Sequence, residues 1–310
     1  MSALDFSTKI GSKRFSNPIF TASGCASSGQ ELSQFFPLSS LGAVVTKSIM
    51  TKPRTGRATP RMAETPSGML NSIGLQGPGI DTFLEKDIPW LIEQQAKIII
   101  SIAGETVDEY GVLARRLRAL TGISAVEVNI SCPNVENRGQ VFACHPDTAV
   151  AVIESVRRNI GGELPIIAKL SPDVTDIVEI ASAVINAGVD GLALINTLLG
   201  MVIDINSMRP KLAGKTGGLS GPAIRPVAVR AIYQVHQAFP NTPIVGMGGV
   251  ASGRDAFELI LAGASAVSVG TATFGNPNAA MQIKDELSQL LTKNGFNDFR
   301  DAIGFAHRGI

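Results

Sequence analysis

Lys47, Asn129, Lys169 and Asn196 each stand at or just past the end of a short apolar, β-branched run, a place where core filler is not expected. A lysine taken out of water needs a partner for its charge, so Lys47 and Lys169 read as contacts for an anionic or polar ligand. The two asparagines offer donors and acceptors without net charge. Just beyond Asn129 comes Ser131-Cys132-Pro133-Asn134. A free cysteine is ordinarily a small buried hydrophobe, but asparagines and a serine flank this one and a proline stiffens its turn. Cys132 is therefore the candidate for proton transfer, whereas Cys25 and Cys144 lack such neighbours and read as packing. His145, His236 and His307 are the only histidines, and no orienting carboxylate pattern follows any of them. A histidine base is disfavoured.

Gly246-Met247-Gly248-Gly249-Val250 and Gly270-Thr271-Ala272 follow the last two apolar runs. Glycines let backbone amides approach phosphate oxygens, and in α/β barrels the loops after strands seven and eight build such a site. Gly246, Gly248 and Ala251 also satisfy GxGxxA, but one match so late in the chain does not announce a dinucleotide fold. Gly214-Lys215-Thr216 has the form of a P-loop ending with Arg209 where the upstream glycine belongs, so that reading is set aside. A phosphate site, two lysines, several amides and a loop cysteine describe a phosphorylated cofactor facing a small planar polar substrate. FMN fits that description.

The elements that must position these groups are legible too. Apolar runs span Ile19 to Ala22, Ala43 to Thr46, Lys97 to Ile102, Ala125 to Ile130, Ile166 to Leu170, Gly191 to Ile195, Pro243 to Gly246 and Ala266 to Val269. Near-continuous hydrophobicity marks strands buried on both faces. Amphipathic helical stretches lie between most of them: Glu105 to Thr121, Pro146 to Ile160, Val174 to Ala187, Pro222 to Ala238 and Gly253 to Ala262. The alternation predicts a single (β/α)8 TIM barrel, with a doubly wound sheet as competitor. That competitor lacks its opening fingerprint, since Ser23-Gly24-Cys25-Ala26 is no GxGxxG. Barrel enzymes place working groups at strand C-termini, here Ser23, Lys47, Ser101, Asn129, Lys169, Asn196, Gly248 and Gly270. Three long segments, Ser48 to Ile80, Ser131 to His145 and Asn196 to Gly221, follow strands and are expected on that catalytic face, the second as a substrate-ordered lid. Phe6 to Phe15 reads as an N-terminal hairpin plugging the opposite end.

Composition limits the alternatives. Hydrophobic residues make up 45% of the 310 and charged ones 17%, enough apolar material for one large core, and residues 1–310 read as a single domain. Lysine and arginine total 27 against 26 acids, a net charge of +1, which provides no bulk field for nucleic acid or an anionic membrane. The three cysteines form no CxxC pair, so no disulfide framework, zinc site or iron–sulfur cluster is expected, and a reducing cytosol fits. Met1 to Phe15 lacks the pattern of a signal peptide, and no run approaches the roughly 18 apolar residues of a membrane span. The expectation is a cytoplasmic protein.

Several ordered motifs resemble class 1 dihydroorotate dehydrogenases along essentially the whole chain. They are Asn17-Pro18 through Ala22-Ser23-Gly24, Glu64-Thr65-Pro66 through Gly68-Met69-Leu70-Asn71-Ser72-Ile73-Gly74-Leu75-Gln76, Asn129 through Asn134, Ala168-Lys169-Leu170-Ser171-Pro172, Ile195-Asn196-Thr197 and Gly217-Gly218-Leu219-Ser220-Gly221. The resemblance implies oxidation of dihydroorotate to orotate in pyrimidine biosynthesis, with one FMN per chain. By position it implies FMN contacts from Ala22, Ser23, Lys47, Ser101, Asn129, Lys169, Ile195, Gly221, Gly248, Gly249, Gly270 and Thr271. Lys47, Asn71, Ile73, Gly74, Leu75, Asn129, Asn134, Asn196 and Thr197 match positions near the pyrimidine. Cys132 matches the class 1 base, taking the C5 proton while the C6 hydride passes to flavin N5. Its thiol, with an ordinary value near 8.5, implies activity that rises with pH.

Ile73-Gly74-Leu75-Gln76 is similar to the B type, in which a separate subunit carrying FAD and a 2Fe-2S cluster passes electrons to NAD⁺. The resemblance further implies a homodimer, or a heterotetramer with two such subunits. The fumarate-using A type, a dihydropyrimidine dehydrogenase-like enzyme and a flavin-free phosphate-binding barrel are the alternatives; the second usually has histidine where Asn134 stands. The chain departs from the family pattern at Gly77, Ser101 and Asp173, where asparagine is the expected residue.

Overall fold

Residues 4–130 and 145–309 are described by the computed structural model, and each of the eight apolar runs supplies a parallel strand. These are β1 (Ile19–Thr21), β2 (Val44–Val45), β3 (Ile98–Ile102), β4 (Ile123–Asn129), β5 (Ile166–Lys169), β6 (Gly191–Leu194), β7 (Ile244–Met247) and β8 (Ala266–Val269). They hydrogen-bond in the order β1-β8-β7-β6-β5-β4-β3-β2. A parallel bridge between Phe20 and Ala43 joins β1 to β2 and closes the TIM barrel.

Side chains alternate across each strand, and the barrel uses both faces. Outward residues such as Ile98, Ile100, Val126, Val128, Leu192 and Val267 pack against helices including α1 (Val107–Leu117), α2 (Pro146–Ile160), α3 (Ile177–Asn186), α4 (Arg225–Ala238), α5 (Gly253–Ala262) and α6 (Ala279–Lys293). Inward residues Val45, Ile99, Ala125, Ile167, Ala193, Val245 and Ala266 form a second buried cluster, which Ile10 and Phe15 complete. Those two belong to the antiparallel hairpin of Thr8–Ile10 with Lys13–Phe15. The hairpin therefore plugs the N-terminal end of the barrel. Two residues further along, the inward positions turn polar: Ser101, Glu127, Lys169 and Ser268. That change of layer marks the floor of the site.

Two long segments expected as loops fold into a four-stranded antiparallel sheet over the mouth. Its order is Leu198–Met201, Thr216–Ser220, Gly68–Asn71, Met62–Thr65. Short, glycine-bearing strands such as Thr216-Gly217-Gly218-Leu219-Ser220 carry no clean period of two, which is why they read as loops. A helical stretch at 80–93 also escapes the sequence pattern; a π-turn at Phe83–Asp87 breaks its period. The final helix α6 buries Ala279, Ala280, Ile283, Leu287 and Leu291 along one face, a helical spacing that lies beyond the last strand. No helix among the described residues is long and apolar enough to cross a membrane.

The C-terminal segment docks through histidines. His307 stacks on Tyr233 at 3.9 Å between centroids, and its Nε2 lies 3.0 Å from the Ala262 carbonyl oxygen. His236 lies 5.0 Å from the His307 ring, and its Nδ1 is buried with no hydrogen-bond partner among the described residues. Burial, and then the neighbouring His307, push His236 below its ordinary value. The folded state thus prefers neutral His236, so this contribution is complete above about pH 6.5 and is lost as pH falls below it. The urea midpoint is expected to drop between pH 7 and 5, and His236→Gln to flatten that drop.

Candidate active site

At the C-terminal ends of the strands the barrel opens into a cavity of about 540 Å³. Ala22, Ser23, Lys47, Asn129, Lys169, Ile195, Gly221, Gly248, Gly249, Gly270 and Thr271 line it, as do Asn71, Ile73, Gly74, Leu75, Asn196 and Thr197. Residues scattered over the chain meet here because strand parity and the loops after each strand aim them at one mouth. Ser101 is not among the lining residues. It is fully buried, its Oγ donating to Glu127 Oε1 at 2.9 Å and lying 2.9 Å from Ser48 Oγ. Ser48, which sequence reasoning passes over, lines the cavity in its place. Cys132, Asn134 and Cys144 lie outside the described residues, as does all of the expected lid except His145.

The polar groups form one connected floor. Lys169 Nζ stands 3.9 Å from Glu127 Oε1, with both side chains buried. The sequence favours a ligand contact for Lys169 over an ion pair; the fold gives it both, a place in the cavity wall and a carboxylate behind it. Asn129 Nδ2 donates to Ser48 Oγ at 3.0 Å, and Asn196 Nδ2 donates to Asn129 Oδ1 at 3.3 Å. Asn196 Oδ1 in turn accepts from the Thr197 backbone N–H at 2.7 Å. The amide side chains are held in fixed orientations, a requirement for reading a planar ligand.

At the opposite side the wall is mostly backbone. Gly249 has φ +74°, and a Cβ there would lie 2.7 Å from Arg225 Cβ and 2.9 Å from the Gly221 carbonyl oxygen. Gly248, with φ +123°, would place a Cβ 2.9 Å from Ala228 Cβ. These residues must be glycine for the β7 loop to lie against the cavity. Thr271 Oγ1 donates to Ser220 Oγ at 2.8 Å and ties the β8 loop to the accessory sheet. Ser268 Oγ, from β8, lines the cavity while buried and without a hydrogen-bond partner among the described residues. A buried hydroxyl in a cavity wall is able to hydrogen-bond a bound molecule.

Two further readings change. Cys25, expected as packing, lines the cavity, and a Cβ on Gly270 would lie 3.2 Å from its Sγ. Burial pushes its thiol up, against the pull of Lys169 and Lys47. Asp173, a departure from the family pattern, serves the structure. Its carboxylate accepts from the Leu199 backbone N–H at 3.1 Å and so anchors the accessory sheet to the β5 loop.

A closed parallel barrel with lysines, amides and a glycine cradle around one mouth has the architecture of an α/β-barrel enzyme whose site lies on the C-terminal face of the strands. Residues 5–291 match the family model described as dihydroorotate dehydrogenase. The dihydroorotate dehydrogenase B (NAD(+)) catalytic subunit of Desulforudis audaxviator is 51% identical over 292 residues, 94% of either chain. That of Desulforamulus reducens is 50% identical over 304 residues, covering 98% of this chain and 99% of its own. A crystal structure of DHODH from Eimeria tenella in complex with ferulenol superposes with a TM-score of 0.82 at 24% identity, covering 98% of this chain and 89% of that one; it speaks for the fold. The chain belongs to the dihydroorotate dehydrogenase family.

Proposed function

We propose that this chain oxidises dihydroorotate to orotate as the FMN-bearing catalytic subunit of a B-type enzyme in the cytoplasm. In this reading residues 1–310 act as one unit, pair as a homodimer and pass electrons to NAD⁺ through a separate subunit carrying FAD and a 2Fe-2S cluster. The observation that carries it is the convergence of Lys47, Lys169, Asn71, Asn129, Asn196 and the Gly248-Gly249 and Gly270 loops on one cavity. FMN fits these residues: glycine loops suit its phosphate, Ser268 offers an unmet hydroxyl, and Lys169 faces the cavity with charge. When bound, FMN supplies the two-electron chemistry that side chains lack. Lys47 and Lys169 balance negative charge, the amides of Asn71, Asn129 and Asn196 orient the substrate's imide and carboxylate, and Cys132 removes the C5 proton.

The test is formation of orotate by the flavin-loaded chain with an artificial dye as acceptor, followed by a comparison of NAD⁺ and fumarate. Orotate with the dye and indifference to both natural acceptors agrees with a B-type chain lacking its partner. Direct turnover with fumarate places the chain with the A type, and no orotate with any acceptor overturns the substrate. Gly249→Ala is expected to weaken FMN binding roughly tenfold in a fluorescence titration, because left-handed strain of about 1 to 2 kcal/mol and the contact with Arg225 are relieved only by moving the loop.

A further inference from the structure

We infer that Glu127 is a positioning residue that sets both the charge balance at Lys169 and the direction in which the substrate-facing amides point; the inference rests on the FMN and dihydroorotate reading above. Glu127 is 2% exposed, on the inward face of β4, below the cavity. A carboxylate in an apolar barrel interior is strongly unfavourable unless paired and hydrogen-bonded. Replacing a buried ion pair by apolar residues of similar volume is often neutral or stabilising, so stability alone does not explain why this pair is here.

The connections give the reason. An ionised carboxylate only accepts hydrogen bonds, so Ser101 must donate to Glu127 Oε1, across 2.9 Å. Having spent its proton there, Ser101 Oγ is left to accept from Ser48 Oγ, 2.9 Å away. Ser48 then accepts from the Asn129 Nδ2 group at 3.0 Å, and Asn129 Oδ1 is turned toward Asn196 Nδ2 at 3.3 Å. One buried acceptor thereby polarises a relay that ends in the cavity wall. The same Oε1 stands 3.9 Å from Lys169 Nζ and offsets the lysine's charge from behind. A glutamine at 127 fills the same volume but cancels both effects: it leaves Lys169 without its counter-charge, and its amide can donate to Ser101 and reverse the relay.

The experiment compares FMN-loaded wild type, Glu127→Gln, Glu127→Asp and Ser101→Ala. For each, the reduction equilibrium of bound flavin is read against a reference dye, and orotate affinity from the flavin spectrum. Glu127→Gln is expected to favour reduction about tenfold, about 30 mV for a two-electron couple, and to weaken orotate about tenfold. Glu127→Asp, which keeps the charge, stays within threefold of wild type in both. Ser101→Ala cuts the relay but leaves the ion pair, so it weakens orotate without moving the flavin equilibrium, and it tests the idea even if Glu127→Gln does not fold. Unchanged values in both Glu127→Gln and Ser101→Ala, a shift toward oxidised flavin in Glu127→Gln, or equal behaviour of the glutamine and aspartate variants would overturn the inference. A wild-type chain that takes up no FMN would instead overturn the cofactor reading beneath it.

Discussion

Cys132→Ala is expected to slow dihydroorotate-driven reduction of the bound flavin by about 100- to 10,000-fold, the range for losing a positioned general base, while flavin stays bound. In the proposed reading the cavity-lining lysines and amides supply charge and orientation, while Cys25 sits against Gly270 with its thiol pushed up by burial, which leaves little of it as the thiolate that a base must be. Cys132, three residues past the end of β4 in the sequence, has Ser131 and Asn134 as polar neighbours and matches the base position of the family. The wild-type rate is expected to rise with pH, because only the thiolate accepts the proton. Stopped-flow flavin absorbance at pH 6 to 9 checks both statements. A C132A rate within threefold of wild type would assign the proton to another group.

The second large effect is on stability. Lys169→Met leaves Glu127 as a buried carboxylate with its counter-charge gone, and breaking such a pair costs about 3 to 5 kcal/mol. Both side chains are nearly inaccessible, at 7% and 3% exposure, so solvent screening does little to soften the loss. Lys169→Met combined with Glu127→Leu should recover most of it, since an apolar pair of similar volume removes the unpaired charge. Urea unfolding of the three proteins measures the differences. An unchanged midpoint in Lys169→Met would mean that the two charges do not depend on one another.

Much of this is legible in the residues. The runs at Ile98–Ile102 and Ile166–Lys169 announce strands because both of their faces are buried, outward against helices and inward against the barrel's own filling. Lys47, Asn129 and Lys169 stand out because polar groups ending apolar strands are costly without a ligand or partner. Glu127 escapes that reading although its parity with Asn129 gives the signal: two residues apart on one strand, they must face the same side. Ser268 escapes it in the same way, two residues beyond the inward Ala266. Cys25 carries no such pattern, since it reaches the cavity from the turn after β1 and not from a strand. The accessory sheet is hidden because its two central strands come from segments about 150 residues apart in sequence, Leu70 opposite Leu219 among the pairs, a pairing set by barrel topology and not by local pattern.

The most direct measurement is anaerobic mixing of the flavin-loaded chain with dihydroorotate while the flavin absorbance is followed. Bleaching of the flavin within one turnover, with one orotate formed per flavin, is the result expected from the site described. A flavin-loaded chain whose absorbance is unaltered by dihydroorotate would contradict it.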